Sequence, residues 1–261
     1  MPMSPRLLRP RAAGGDSDVL NYIAAVELAD GQQLEQAVKD AIRDFILGCK
    51  TDGIWSAIKS SCIMMGARTL SGALTPLVGP APTNFNFVSG DYDRKTGLVG
   101  NGSTKYLDTN RSNNSDPQDN AHISVYVGSH DVTNKIFINA GSFADGARGI
   151  AFFNGQTQFL CNSVSILPFG LAIPIAGAFA GASRNGSSSV TVRTGSNSQF
   201  FTTASGTPSS SNVWVFRWNG AGSPSHSTAR ISFFSVGESL DLSRLNTRVS
   251  NLVAAIGAAI P

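Results

Sequence analysis

The chain has 261 residues, of which 41% are hydrophobic and 14% charged, with 27 glycines and a formal net charge of +3. That apolar content excludes a disordered chain, because enough surface can be buried to offset conformational entropy. The charge fraction falls below the roughly 25% of ordinary globular proteins, and Gly joins many Ser, Thr and Asn tracts, so the expectation is one large, turn-rich β-sandwich.

The net charge has a local origin. Residues 1–14 hold Arg6, Arg9 and Arg11 and no acid, which leaves 17 basic against 17 acidic residues in the rest of the chain. A neutral body lacks the cationic face that neutralises many phosphates, so nucleic acid is not an expected partner. Pro2, Pro5 and Pro10 favour extended geometry, and residues 1–15 are read as a basic arm. Arg6, Leu7, Leu8, Arg9 and Arg11 are its expected assembly contacts, guanidinium groups for carboxylates and leucines for an apolar groove. Only Leu7 and Leu8 are adjacent apolar residues there, so a secretory leader is not expected and synthesis in the cytoplasm is.

Residues 16–66 are expected to form a helical subdomain. Asp16, Ser17 or Asp18 can cap a helix that Asp30-Gly31 ends. Leu34, Val38, Ala41, Ile42, Phe45, Ile46 and Cys49 recur at helical steps, and a third helical piece is read from Ile54, Trp55, Ile58, Cys62 and Ile63. Cys49, Cys62 and Cys161 have no CxxC spacing, and free buried thiols are expected.

Residues 67–261 are read as a β-sandwich with a closing helix. Short alternating runs bounded by turn residues occupy 122–128, 135–139, 149–153, 176–183, 189–194, 213–218 and 229–236. Strands at this spacing imply a sandwich or jelly roll. Residues 166–182 are uncharged, but Pro168, Gly170 and Pro174 interrupt them, which favours a packed strand over a membrane span. Asp241 caps a final helix whose apolar stripe is Leu242, Leu245, Val249, Leu252, Val253 and Ile256.

No catalytic constellation is evident. His122, His130 and His226 share no metal-ligand spacing, and neither GxSxG nor HExxH occurs, so no metal or other cofactor is expected. The run 97–105 (GLVGNGSTK) carries Ser103 where a phosphate loop needs lysine, and reads as a turn. The carboxylate pairs Asp91 with Asp93 and Asp116 with Asp119 lie beside turn formers, where Asp bonds backbone amides. Within 213–218, alternation points Trp214, Phe216 and Trp218 to one face. Three large apolar groups in a row suit a core, with Trp218, beside Asn219-Gly220, as the exposed one. Trp218 and Asn219 are therefore the candidate glycan-binding residues.

Residues 90–108 (GDYDRKTGLVGNGSTKYLD) resemble the segment that opens the sandwich of laminin-G or concanavalin A-like jelly-roll proteins encoded by phages and prophages. Residues 229–260 resemble their closing strand and terminal helix. The resemblance implies a mainly β, concanavalin A-like sandwich, and a non-enzymatic structural protein of a tailed-phage virion made in the host bacterial cytoplasm. A tail-side baseplate or fibre component is the first expectation, with capsid decoration and a carbohydrate-binding module as alternatives. The partners it implies are other virion subunits, further copies of the chain and a host-surface glycan, without membrane insertion.

Overall fold

The computed structural model describes residues 15–142, 146–170, 173–174, 176–220 and 225–261. The expected arm contacts Arg6, Leu7, Leu8, Arg9 and Arg11 lie outside the described residues.

Helix α1 (Ser17–Asp30) starts where the Asp16 carboxylate accepts the backbone N–H of Asp18 and Val19, and ends at Gly31, whose φ of 67° suits a residue without Cβ. Helix α2 (Gln36–Thr51) follows and buries Val38, Ile42, Phe45 and Ile46, the stripe expected from the spacing. The third expected helical piece is different. After a single 3-10 turn at Trp55–Ala57 the chain becomes strand β1 (Ile58–Ile63), which pairs with two neighbours inside a sheet. Its Ser60, Ser61, Cys62 and Ile63 are all buried, so both faces are covered and no alternation marks it as a strand.

A short helix α3 (Leu70–Ala73) and strands β2 (Pro76–Val78), β3 (Thr83–Phe85), β4 (Tyr92–Asp93), β5 (Gly97–Val99) and β6 (Tyr106–Ser112) follow. The middle of the chain supplies β7 (Ala121–Ser129), β8 (Lys135–Ala140), β9 (Ala147–Phe153), β10 (Gln156–Ser163) and β11 (Leu167–Phe169). The last strands are β12 (Ala178–Gly186), β13 (Ser189–Thr194), β14 (Asn197–Thr202), β15 (Asn212–Val215) and β16 (Arg230–Gly237), before helix α4 (Leu242–Ala259).

These strands form two antiparallel sheets. One has nine strands, running β14-β13-β12-β7-β16-β1-β2 with β5 and β4 attached beside β16, and the other runs β11-β10-β9-β8-β15-β6-β3. Between them lies the main core, which includes Val125, Val127, Phe137, Ile150, Phe159, Val215, Ile231 and Phe234. Alternation turns the neighbouring Phe233 outward, where its ring meets Phe45 of α2 edge-on at 5.7 Å. Helices α1, α2 and α4 therefore cover the outer face of the nine-stranded sheet through a second core with Ile58, Ile63 and Phe179. On α4 Leu242, Leu245, Val249, Leu252 and Ile256 are buried as the spacing predicts, while Val253 of the expected stripe is half-buried at its edge. Each such buried side chain contributes about 1.5–3 kcal/mol by leaving water.

The architecture is thus helices, nine-stranded sheet, seven-stranded sheet. Among the described residues no helix lies over the outer face of the seven-stranded sheet. The uncharged 166–182 stretch divides between β11 and β12 around a turn in which Gly177 N–H donates to Pro174 O at 2.8 Å. No helix among the described residues is long and apolar enough to cross a membrane. Cys49, Cys62 and Cys161 are free and buried, and burial pushes the Cys49 thiol up to about 12.

Candidate functional site

Strand β9 shows how the free sheet face acquires its shape. Its Ile150 and Phe152 join the core, so Gly149, Ala151 and Phe153 point outward and make a low floor that rises at one end. On one side β8 contributes Ile136 and Asn139, which a register shift between Ile136 and Ile138 brings to the outer face. On the other side β10 contributes Gln158 and Leu160, paired with Ala151 and Gly149 respectively. Trp218, Ser225 and Asn154, together with Ile138, Ile150 and Ile166, complete a groove of about 450 Å³. None of its described lining residues is charged.

The position of Trp218 departs from simple alternation. Strand β15 ends at Val215, and Phe216 takes a left-handed φ of 72°. This turns its ring into the core against Phe87 at 5.1 Å, while its N–H donates to Phe137 O at 2.8 Å. Trp214, Phe216 and Trp218 consequently do not share a face. Trp214 stays on the outer surface beside Tyr106, with the Arg217 guanidinium over both rings at 4.8 and 4.6 Å. Trp218, half-buried, lines the groove and is held by its N–H to Ser225 O at 2.9 Å.

Asn219 does not line the groove. Its side-chain amide donates to Asn212 O at 2.6 Å, and its backbone N–H donates to Asn139 Oδ1 at 2.9 Å. The polar group it supports, Asn139, is the one that faces the groove, although it is only 1% exposed. Sequence reading missed Asn139 and Gln158. The signal present was the small pair Gly149 and Ala151 at alternate positions of an otherwise bulky strand.

Several other residues singled out by sequence are tied into turns or buried contacts. Asn101 Oδ1 accepts the N–H of Ser103, Thr104 and Lys105 at 3.1, 2.9 and 3.1 Å, so the glycine-rich run after β5 is a turn. Asp93 Oδ1 likewise accepts from the Lys95 and Thr96 amides at 3.0 and 2.8 Å. Asp116 corrects the turn expectation, because its carboxylate is buried between Arg148 at 2.9 Å and Arg111. Burial opposes its ionisation, but the Arg148 and Arg111 charges outweigh that and hold it below the usual carboxylate range. His122 is buried too, and desolvation depresses it to about 4. No group of three or more His, Cys, Asp or Glu suited to a metal occurs among the described residues.

No protein-family model matches the chain, and no curated protein matches it in sequence. Solved structures match at the level of fold. A mutant Trypanosoma rangeli sialidase displaying trans-sialidase activity aligns at 11% identity and a TM-score of 0.52, over 84% of this chain and 39% of that one. The botulinum neurotoxin serotype D binding domain aligns at 12% identity and 0.47, over 75% and 51%. Mouse laminin α1 domains LG4-5 align at 15% identity and 0.41, over 65% and 47%. The chain spans about two-fifths of the length of the sialidase. The protein is a mainly β, jelly-roll-like sandwich of two antiparallel sheets, with N-terminal helices and a C-terminal helix.

Proposed function

We propose that the chain is a non-enzymatic glycan-binding protein whose binding surface is the groove on the outer face of the seven-stranded sheet. The observation that carries this reading is the meeting of Trp218 with the Asn139 and Gln158 amides over the Gly149–Ala151 floor. An aromatic flank offers a surface for the apolar face of a sugar ring, and a few fixed amides orient hydroxyl groups, the usual division of labour in ligand grooves. The described lining offers amide and hydroxyl groups and no titratable side chain, which supports binding over acid-base chemistry. Calorimetric titration with a panel of oligosaccharides tests it. Trp218→Ala is expected to weaken binding at least tenfold, about 1.4 kcal/mol, with the thermal midpoint little changed because the residue lies outside both cores. Equal binding by the variant, or no binding by the native chain, would overturn the reading.

For its setting, the proposal places the protein in a tailed-phage virion, on the tail side as a baseplate or fibre component, with capsid decoration as the alternative. Support comes from the resemblance of residues 90–108 and 229–260 and from the basic composition of residues 1–14; the structural likenesses add nothing to it. Other virion subunits and further copies of the chain are the proposed partners. Mass spectrometry of purified virions is expected to find the protein, and its absence would remove this setting while leaving the glycan reading intact.

A further inference from the structure

Resting on that reading of the groove, the geometry points to an uncharged, N-acylated sugar as the ligand. Charge is the first argument. The described lining includes no Asp, Glu, Lys, Arg or His, so a carboxylated or aminated sugar would enter an apolar site without a counter-charge. The arginine nearest in sequence to Trp218, Arg217, is held over the Tyr106 and Trp214 rings and does not line the groove.

The floor supplies the second argument. Ile136 and Leu160 are 2% and 5% exposed and flank the low surface of Gly149 and Ala151. A Cβ placed on Gly149 would lie 2.8 Å from Asn139 Nδ2, so the amide sits directly over the buried glycine and the open part of the floor beside it is Ala151. Asn139 Oδ1 is engaged by the Asn219 N–H at 2.9 Å, whereas among the described residues Nδ2 makes only a long contact of 3.4 Å to Arg148 O. The amide nitrogen carries two hydrogens, which leaves a fixed donor for a ligand carbonyl beside an apolar depression. An acetamido group matches both features, its carbonyl accepting from Asn139 and its methyl resting on Ala151. A plain hexose would set a hydroxyl against the same apolar floor.

The test is calorimetry on the full chain with four probes: diacetylchitobiose, cellobiose, digalacturonate and octanol. Cellobiose has the same linkage with hydroxyl in place of acetamido, digalacturonate is acidic, and octanol reports a purely apolar site. The expected result is at least tenfold tighter binding of diacetylchitobiose than of cellobiose, and none of digalacturonate. Ala151→Leu, which fills the floor from the solvent side, is expected to abolish that preference with the thermal midpoint retained. Equal binding of the two neutral disaccharides, preference for digalacturonate, or an Ala151→Leu variant that keeps the preference would overturn this inference and leave the glycan reading standing. Binding of octanol with no sugar of this set or of the wider panel would overturn both.

Discussion

Replacing Arg148 by methionine is expected to destabilise the chain by about 3–5 kcal/mol, the range found when one partner of a buried ion pair is removed. Arg148 is 0% exposed, and its guanidinium donates to Asp116 Oδ2 at 2.9 Å, Asn113 O at 3.1 Å and His122 O at 3.3 Å. It thereby joins β9 to β7 and to the turn before it, across the two sheets. Methionine fills comparable volume but removes the guanidinium from Asn113 O and His122 O and leaves Asp116 with Arg111 alone. Urea denaturation measures the loss through the midpoint at constant slope. The double variant Arg148→Met with Asp116→Asn should lose less than the two single losses combined, because the buried charge disappears with its partner. A single-variant loss below about 1 kcal/mol would mean that the cluster relaxes into water, contrary to the burial seen here.

The second large effect is a dependence on pH. His122 is enclosed, with Nδ1–H donating to Glu238 O at 2.6 Å and Nε2 accepting from Ser235 Oγ at 2.9 Å, a hydroxyl itself bonded to Ser124 Oγ at 2.8 Å. The carbonyl accepts only, so Nδ1 carries the proton of the neutral ring, and it is loss of solvent around the buried imidazole that opposes a second proton on Nε2. Desolvation depresses the folded value to about 4 from an ordinary 6.5. The unfolded chain therefore gains a proton below about pH 6.5 that the folded chain refuses until about pH 4. Stability is full above that window and falls through it by about 3 kcal/mol, at 1.36 kcal/mol per unit. Below the ordinary carboxylate range Asp116 adds its own loss, as pH falls toward its lowered folded value. Urea midpoints at pH 7 and pH 4.5 test the histidine window. His122→Gln, which keeps a donor and an acceptor, should flatten it, and a native chain with equal stability at both pH values would contradict the account.

The legible parts of the fold were those with one wet and one dry face, or one buried stripe. Strand β13, in which Val190, Val192 and Thr194 are buried and their neighbours half-exposed, and helix α4 follow their periodicity closely. Strand β1 escaped because it is buried on both faces and because Ile54, Ile58, Cys62 and Ile63 also fit a helical step. The separation of Trp214 from Phe216 escaped for another reason. A left-handed φ at a non-glycine residue leaves no sequence mark, yet it decides that Phe216 fills the core while Trp214, two positions earlier, stays outside it. Asp116 looked like a turn residue because its partner Arg148 is 32 positions away. Trp218 was legible as an aromatic beside a turn, whereas Asn139 became visible only once β8, β9 and β15 were placed side by side.

The central claim is that sugar binds the groove containing Trp218, and the indole N–H resonances of the three tryptophans, Trp55, Trp214 and Trp218, report on it directly. Trp55 lies among the helices on the far side of the nine-stranded sheet, and Trp214 lies on β15 beside the groove. In a titration of the labelled chain with diacetylchitobiose, the Trp218 signal, assigned from Trp218→Phe, should move with saturation. Trp214 should move less and Trp55 not at all. A titration in which the Trp218 signal stays fixed while Trp55 shifts, or in which all three stay fixed with every sugar of the panel, would contradict the assignment of the site.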